Sequence, residues 1–331
     1  MKKLIALALS AVMLLSLAAC GAKEDTQTPD DGANDGQTGE EISWPTDPIT
    51  LKVTGKAGGS TDLVSRVFAE YYSKELGVPV VVENGEGILQ YQGTHDAAPD
   101  GYTMCVGAMG FLLYKHTGTL DFGLEGYDPI SVISEDETFG FWVTKDAPYQ
   151  TINELVDYMK EHPGEVTFGM KTSTSVHLET VGFLKAVGCE ANVVDAGGDA
   201  NRVTALLGGQ IDVTIEPLGS MKGYLDEGEA VCLGTFQEES CVLCPEIPTV
   251  YQQGIDFTFP TNFQALMLPQ GCDAAIVAKA SEAAQRVLDN PDYVADINAL
   301  GAIVNSRNYE EVNEYLNNAN DIVSELVQDI L

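Results

Sequence analysis

The chain has 331 residues, and its 50 acidic and 17 basic residues give a formal net charge of −33 at pH 7. A surface of that sign repels nucleic-acid phosphates and anionic lipid headgroups, which argues against both as binding partners. It leaves a small anionic ligand open, because a few local N–H groups can set ligand choice.

The first twenty residues have the pattern of an export signal. Lys2 and Lys3 precede an apolar run over residues 4–17, and small residues lead to Cys20. The run is too short for a stable membrane span, and a cysteine directly after Leu-Ala-Ala resembles the lipobox of bacterial lipoproteins. We therefore predict a signal peptide over residues 1–19, a lipid on Cys20, and a protein anchored outside the cytoplasmic membrane.

The segment after Cys20 is predicted to be a disordered spacer. Residues 21–46 contain seven acidic residues and one lysine, and almost no aliphatic side chains. Such a segment cannot bury enough apolar surface to offset the entropy lost on ordering. With Cys20 it forms a lipidated tether, residues 20–46, that lets a globular body reach a partner in the same membrane.

The first loop of the body is a candidate anion site. The alternating run Ile49–Val53 ends before a glycine turn, Gly58–Gly59, and a helical pattern follows Asp62. Ser60 and Thr61 are predicted N-cap residues, and Asp62 lies where the helix dipole favours a negative charge. A strand, a glycine turn and a helix start leave backbone N–H groups unpaired, which suits a small anion. An ordinary strand-to-helix turn is the alternative.

Strand and helix patterns alternate over the remaining chain. The predicted strands are residues 78–82, 102–106, 139–143, 166–170 and 211–215. The predicted helices are residues 151–161, 176–187, 201–207, 272–289 and 309–328. Thr151 and Glu154 have capping-box spacing at the start of the first of these helices. The alternation predicts α/β units with largely parallel sheets, and the length predicts two domains.

Sequence signatures of enzymes and metal sites are missing. The chain has no G-x-S-x-G, H-E-x-x-H or P-loop pattern, and we predict no metal and no cofactor. Cys241 and Cys244 lack a second pair or a nearby histidine for zinc, so we expect reduced thiols or a local disulfide in a surface loop. A hydrolase using Ser173 or Ser175 with His177 ranks third among the functions, because no orienting acid is evident.

Six segments in order resemble the Bug-type extracytoplasmic solute receptors of the tripartite tricarboxylate transporter system. They are residues 58–62 with Arg66 (family pattern A-G-G-G-T-D-x-x-A-R), 80–84 (V-V-V-E-N), 98–104 (A-x-P-D-G-Y-T-L), 174–179 (G-S-x-x-H-L), 205–212 (A-L-x-x-G-Q-V-D) and 244–250 (P-D-V-P-T). Each pattern is weak alone, but six in the family's order and spacing make coincidence implausible.

The resemblance implies an α/β, two-lobed periplasmic-binding-protein fold of type II, with the ligand in a cleft between the lobes. Lobe one would comprise residues 47–144 and 259–331, lobe two residues 145–258, and strands at 139–144 and 259–268 would cross between them. Backbone N–H groups of the glycine loops would hold a carboxylate. The implied ligand-binding residues are Gly58, Gly59, Ser60, Thr61, Asp62, Gly87 and Gln90 in lobe one, and Lys171, Ser173, Thr174, Ser175, His177, Gly197 and Gly198 in lobe two.

Two loops depart from the family pattern. Leu89 and Gln90 stand where the family tends to have glycines, so their side chains would fill part of the cleft and favour a smaller or differently shaped ligand. Lys171 stands where a glycine-rich stretch is usual, so it is either a counter-charge for a carboxylate or a solvated lysine. Arg202 is a further cation for which the sequence leaves open whether it faces the cleft.

The implied function is a monomeric receptor that delivers an organic carboxylate to a permease with a large and a small membrane subunit. Closure of the lobes on the ligand would produce the form that the permease recognises. The alternative is a ligand-sensing protein that serves a membrane sensor kinase. The sequence leaves the identity of the carboxylate open.

Overall fold

The chain folds into two five-stranded sheets flanked by helices. The computed structural model describes residues 43–328 apart from residues 55–56 and 173, so the predicted signal peptide, Cys20 and residues 20–42 of the tether lie outside the described residues. The strands are β1 (Ile49–Val53), β2 (Val80–Asn84), β3 (Thr103–Ala108), β4 (Tyr127–Asp136), β5 (Gly140–Thr144), β6 (Thr167–Met170), β7 (Asn192–Asp195), β8 (Val213–Glu216), β9 (Ala230–Thr235) and β10 (Asn262–Pro269). The helices are α1 (Ser60–Leu76), α2 (Gly87–His95), α3 (Phe111–His116), α4 (Ile152–Glu161), α5 (Ser175–Val187), α6 (Asp199–Leu207), α7 (Leu218–Asp226), α8 (Ala274–Leu288), α9 (Pro291–Ala299) and α10 (Tyr309–Val327).

The two sheets have equivalent topologies. The strand order is β2-β1-β3-β10-β4 in the first sheet and β7-β6-β8-β5-β9 in the second. In the first, β1 is parallel to β2 and β3, and β10 runs antiparallel to β3 and β4. In the second, β6 is parallel to β7 and β8, and β5 runs antiparallel to β8 and β9. We use lobe one for residues 43–136 and 262–328, and lobe two for residues 140–261.

One predicted boundary is wrong. Residues 139–144 were expected in lobe one, but β5 pairs with β8 and β9 and belongs to the second sheet. The boundary therefore precedes residue 140. The apolar run Phe141–Val143 would be buried equally well in either sheet, so its hydrophobicity does not say which sheet it enters.

Helices cover both faces of each sheet. In lobe one, α1, α8 and α9 bury an aromatic group that includes Phe68, Tyr72 and Tyr293. On the opposite face, α2, α3 and α10 pack against a second core that continues into lobe two through α5. Leu326 of α10 lies against Gly182 of α5 at this junction. A continuous apolar core therefore joins the two lobes on one side.

Most of the predicted elements are confirmed within a few residues. The five predicted strands correspond to β2, β3, β5, β6 and β8, and the five predicted helices to α4, α5, α6, α8 and α10. The capping box of α4 is present, with Glu154 N donating to Thr151 Oγ1 at 3.2 Å. Over the described residues, we find no helix with the length and apolar character that a bilayer crossing requires.

Candidate ligand-binding site

The strand order points to the loops after β1 and β6. Successive strands lie on opposite sides of β1 in the first sheet, and the same reversal occurs at β6 in the second. In open α/β sheets, ligands bind outside the carboxyl ends of the strands at such a reversal. The loop after β1 leads into α1 and the loop after β6 leads into α5. These are the two loops in which most of the predicted ligand contacts lie.

Asp62 organises the loop after β1. Its side chain is buried, and it accepts hydrogen bonds from Gly58 N at 2.7 Å and from Asn84 Nδ2 at 2.8 Å. Arg66 Nε lies 2.9 Å from the same carboxylate. Burial raises the pKa of Asp62, but the hydrogen bonds from Arg66, Gly58 and Asn84 together lower it. The carboxylate is therefore charged, and it orders its own loop.

Among the described residues of this loop, Gly58 is the one whose backbone requires glycine. Its φ of +84° lies in the left-handed region, whereas Gly59 has an extended backbone with φ −78° and ψ 167°. Gly59 is the N-cap of α1 and the helix begins at Ser60, so the prediction of Ser60 and Thr61 as N-cap residues is wrong. The turn at Gly58 places extended geometry directly before Ser60. Gly58, Gly59 and Ser60 are exposed.

Gln90, a predicted ligand contact, is hydrogen-bonded within lobe one. It is buried, and its Nε2 donates to the Glu83 carbonyl at 2.9 Å. Lys52 Nζ donates to Gln90 Oε1 at 3.5 Å. These bonds tie the side chain to β1 and β2 in the interior of lobe one. A buried amide needs such partners, so these hydrogen bonds fix the position of the Gln90 side chain.

Gly87 lies beside a group of hydroxyls at the carboxyl ends of β1 and β3. A Cβ atom on Gly87 would lie 3.5 Å from Tyr114 Oη and 3.9 Å from Thr54 Cβ. Thr54 Oγ1 donates to the Val106 carbonyl at 3.1 Å, and Tyr91 Oη donates to Thr54 Oγ1 at 3.4 Å. A side chain at Gly87 would therefore approach hydroxyls that are held in place by the sheet.

Asp195 organises the loop after β6 in lobe two. It ends β7 and accepts hydrogen bonds from Thr172 Oγ1 at 2.6 Å, Thr172 N at 3.1 Å and Gly197 N at 2.9 Å. The bonds from Thr172 and Gly197 lower the pKa of Asp195. One carboxylate thereby joins the loops after β6 and β7. Ser173, a predicted ligand contact, lies outside the described residues.

The first turn of α5 contains three of the predicted contacts. Thr174 is the N-cap, and its Oγ1 donates to the Lys171 carbonyl at 2.7 Å. Ser175 and His177 are half-buried, and the Lys171 side chain is exposed. Burial lowers the pKa of His177, and the charge of Asp195 acts in the opposite direction. His177 is therefore a neutral hydrogen-bonding group at pH 7, which leaves Lys171 as the cation of this turn.

Arg202 lies inside lobe two. It is 2% exposed, with Nε 2.7 Å from Glu216 Oε1 and a second donor 3.0 Å from Glu216 Oε2. It also donates to the Gly197 carbonyl at 3.1 Å. Gly197 has φ +82° and Gly198 is the extended N-cap of α6. Arg202 therefore stabilises the predicted Gly197–Gly198 loop from the interior of lobe two. It is not an exposed counter-charge for a ligand at that loop.

Cys241 and Cys244 are buried free thiols. They pack with Ile247 and with Ile303 of lobe one, and Cys244 N donates to the Cys241 carbonyl at 3.0 Å. The two thiols are reduced, as one of the alternatives predicted, and they point inward from a turn in which Val242 is 75% exposed.

Sequence reasoning missed the groups that hold the loops in shape. The sequence patterns include Asn84 in a motif without predicting its hydrogen bond to Asp62. They predict no role for Asp195, Glu216 or Tyr114. Asn84, Asp195 and Glu216 are the last residues of β2, β7 and β8. A polar residue at the end of an apolar strand is therefore a pattern by which the sequence could have identified them. Tyr114 lies in a short helix and gives no such signal.

Comparisons with known proteins cover most of the chain. The family model described as tripartite tricarboxylate transporter family receptor matches residues 64–330. A Cupriavidus necator protein described as "UPF0065 protein in gbd 5'region" is 32% identical over 259 residues, which are 76% of this chain and 77% of that protein.

Solved structures support the predicted two-lobed fold. A TctC solute-binding protein from Polaromonas without ligand has a TM-score of 0.77 at 20% identity, covering 87% of this chain and 100% of that one. R. palustris Rpa4515 with adipate has a TM-score of 0.71 at 22% identity, covering 86% of this chain and 97% of that one. The fold is therefore that of a periplasmic binding protein, and the chain belongs to the tripartite tricarboxylate transporter receptor family.

Proposed function

We propose that the protein is an extracytoplasmic receptor that binds a small organic carboxylate between its two lobes. The observation that carries this proposal is the pair of loops after β1 and β6, each of which leads into a helix N-terminus. Both loops are held by a carboxylate, Asp62 or Asp195, that already accepts hydrogen bonds from its own lobe. The N–H groups of an exposed helix start favour an anion, and two such starts suit a ligand held from both sides.

In this proposal, backbone N–H groups and a lysine, rather than arginine side chains, recognise the carboxylate. Arg66 is engaged with Asp62, and Arg202 is engaged with Glu216. Around the two loops, this leaves the backbone N–H groups of Gly59 and Ser60, the start of α5 and the exposed Lys171 for the ligand. Membership of the receptor family and the adipate in R. palustris Rpa4515 support a carboxylate as the ligand class.

The proposed mechanism is closure of the lobes on the ligand. The chain crosses between the sheets at residues 137–139 and 236–261, so these segments are the candidate hinge. A ligand that contacts both loops favours the closed arrangement, and a two-subunit permease recognises it. The lipid on Cys20 and residues 20–46 keep the monomeric receptor near that permease. The role is binding and delivery without chemical conversion of the ligand.

A thermal-shift screen tests the ligand class. The chain is heated with a panel of mono-, di- and tricarboxylates, and with the corresponding amides as matched neutral controls. A ligand at about 100 times its Kd stabilises a protein by about 2.7 kcal/mol. We expect at least one carboxylate to raise the melting temperature and its amide to leave it unchanged. Equal shifts with acid and amide would contradict recognition of the charge.

Small-angle X-ray scattering tests closure. With the carboxylate found in the screen at saturation, the radius of gyration should fall relative to the ligand-free protein. The same measurement with the matched amide is the control. An unchanged radius of gyration at saturation would contradict hinge closure while leaving the ligand class standing.

A further inference from the structure

Glu179 of α5 is a buried carboxyl group at the junction of the two lobes. Its side chain is 0% exposed, and its Oε1 accepts a hydrogen bond from Asn262 Nδ2 at 3.1 Å. Asn262 begins β10 in the first sheet, so this bond connects lobe two to lobe one. The other oxygen, Oε2, is buried without a hydrogen-bond partner. A buried carboxylate with one acceptor unsatisfied is costly, because it loses its hydration without replacement.

The charges around Glu179 do not compensate it. Arg202 of α6 is the cation that acts on it, but Arg202 already pairs with Glu216 of β8 at 2.7 Å. Asp136, at the end of β4, and Glu216 both repel a negative charge on Glu179. Arg202 also lies 3.0 Å from Asp199, so its guanidinium already faces two carboxylates and does not offset the charge of an ionised Glu179.

Within the described part of the chain, the other elements that pack on α5 bring no further cation to Glu179. Strand β6 consists of Thr167, Phe168, Gly169 and Met170. Helix α10 contributes Glu325, which lies 3.7 Å from Lys185 at the far end of α5. Among the described residues, no three His, Cys, Asp or Glu side chains are grouped as metal ligands.

We propose that Glu179 is a proton-binding site between the lobes, and that its protonated form holds α5 and β10 in the arrangement seen here. Protonation removes the uncompensated charge and keeps the hydrogen bond that Oε1 accepts from Asn262. Loss of the proton places a charge beside Asp136 and Glu216, which favours hydration of Glu179 and separation of α5 from β10.

The direction of the pH dependence follows from the burial. Desolvation raises the pKa of Glu179 to about 8, so the folded protein holds the proton at a pH where the unfolded chain has lost it. The stability is then highest below the ordinary pKa of a glutamate, about 4.3, and is lost as the pH rises through the folded value. Burial also raises the pKa of Glu216, to about 7, so Glu216 titrates in the same pH range and a Glu179 variant is needed to separate the two groups.

The test measures the melting temperatures of the wild type, of Glu179→Gln, which mimics the protonated form, and of a control, Glu161→Gln, on the exposed end of α4. We expect the wild type and Glu179→Gln to melt at the same temperature at about pH 5. At about pH 8.5, we expect Glu179→Gln to melt several degrees higher than the wild type. Glu161→Gln should follow the wild type throughout. A separation that does not change with pH would overturn the proposal.

Hydrogen–deuterium exchange locates the effect. At about pH 8.5, residues 175–183 and 259–264 of the wild type should exchange faster than in Glu179→Gln, and at about pH 5 the two should match. Equal exchange at both pH values would overturn the proposal. If Glu179→Gln does not fold, wild-type protection in these segments, corrected for intrinsic exchange, must fall between the two pH values. No ligand is needed, so the outcome is independent of the proposed function.

Discussion

The two lobes share a topology but hold their ligand loops by different means. In lobe one, the carboxylate comes from the helix that follows the loop, and its partner Arg66 is half exposed. In lobe two, the carboxylate of Asp195 comes from the end of a strand, and the helix arginine, Arg202, is buried against Glu216. The same strand order therefore accommodates two hydrogen-bond networks. We therefore predict that the stability of lobe two depends on the buried Arg202–Glu216 ion pair, whereas the loop of lobe one depends on Asp62 alone.

Removal of the two arginines should have unequal effects on stability. Arg202→Met leaves Glu216 buried without its cation, which typically destabilises a protein by about 3–5 kcal/mol. Arg66→Met removes a half-exposed partner, and we expect a loss of about 1 kcal/mol or less. Urea denaturation of both variants measures the difference. Losses of equal size would contradict the distinction between a buried and a surface pair.

Alanine substitutions at the adjacent glycines Gly58 and Gly59 should also have unequal effects on stability. Alanine at Gly58 must adopt a positive φ, which costs about 1–2 kcal/mol for a residue with a Cβ atom. Alanine at Gly59 fits the extended backbone, so its effect on stability should lie within about 0.5 kcal/mol. The unfolding free energies of the two variants decide this. A larger loss at Gly59 would mean that the backbone assignment of the loop is wrong.

Acid should weaken lobe one through Asp62. Its lowered pKa means that its stabilising contribution is present above the ordinary aspartate value of about 3.9 and is lost as the pH falls through the lower folded value. Asp62→Asn lacks this ionisation, and its neutral side chain has only one oxygen to accept from Gly58, Asn84 and Arg66. Melting temperatures from neutral to acidic pH should therefore fall more steeply for the wild type. Parallel curves would assign the acid sensitivity to other carboxylates.

The smallest expected effect concerns Lys171. We expect Lys171→Gln to weaken carboxylate binding by about 1 kcal/mol at low salt, and by less at high salt, because an exposed charge is screened. Lys145→Gln, on the surface of the same lobe, is the control. Calorimetric titration at two salt concentrations measures both. An affinity that is unchanged at low salt would make Lys171 a solvated lysine.

Much of the fold was predictable from local patterns in the sequence. The capping box of Thr151 and Glu154 and the strands around residues 166–170 and 211–215 are encoded by neighbouring residues. Sheet membership of β5 was not predictable, because an apolar run fits any buried position. The β4 edge strand was missed, since Tyr127–Asp136 mixes polar and apolar residues without regular alternation.

The site was predictable at the level of loops and not of side chains. Glycines and helix starts identified the loops after β1 and β6, because their spacing is a property of the backbone. The hydrogen bonds of Gln90 were not predictable, because its partners Lys52 and Glu83 are distant in the sequence. The burial of Arg202 against Glu216 likewise depends on the packing of α6 on β8, which no local pattern reveals.

Binding of the screened carboxylate to Gly59→Val, measured by calorimetry, tests the central claim most directly. A valine side chain at this exposed N-cap would keep the ligand from the N–H groups of α1, while the extended backbone accepts it without strain. We predict that binding is abolished and that the melting temperature of the ligand-free protein stays close to that of the wild type. Normal affinity in the Gly59→Val variant would contradict the placement of the carboxylate at this loop.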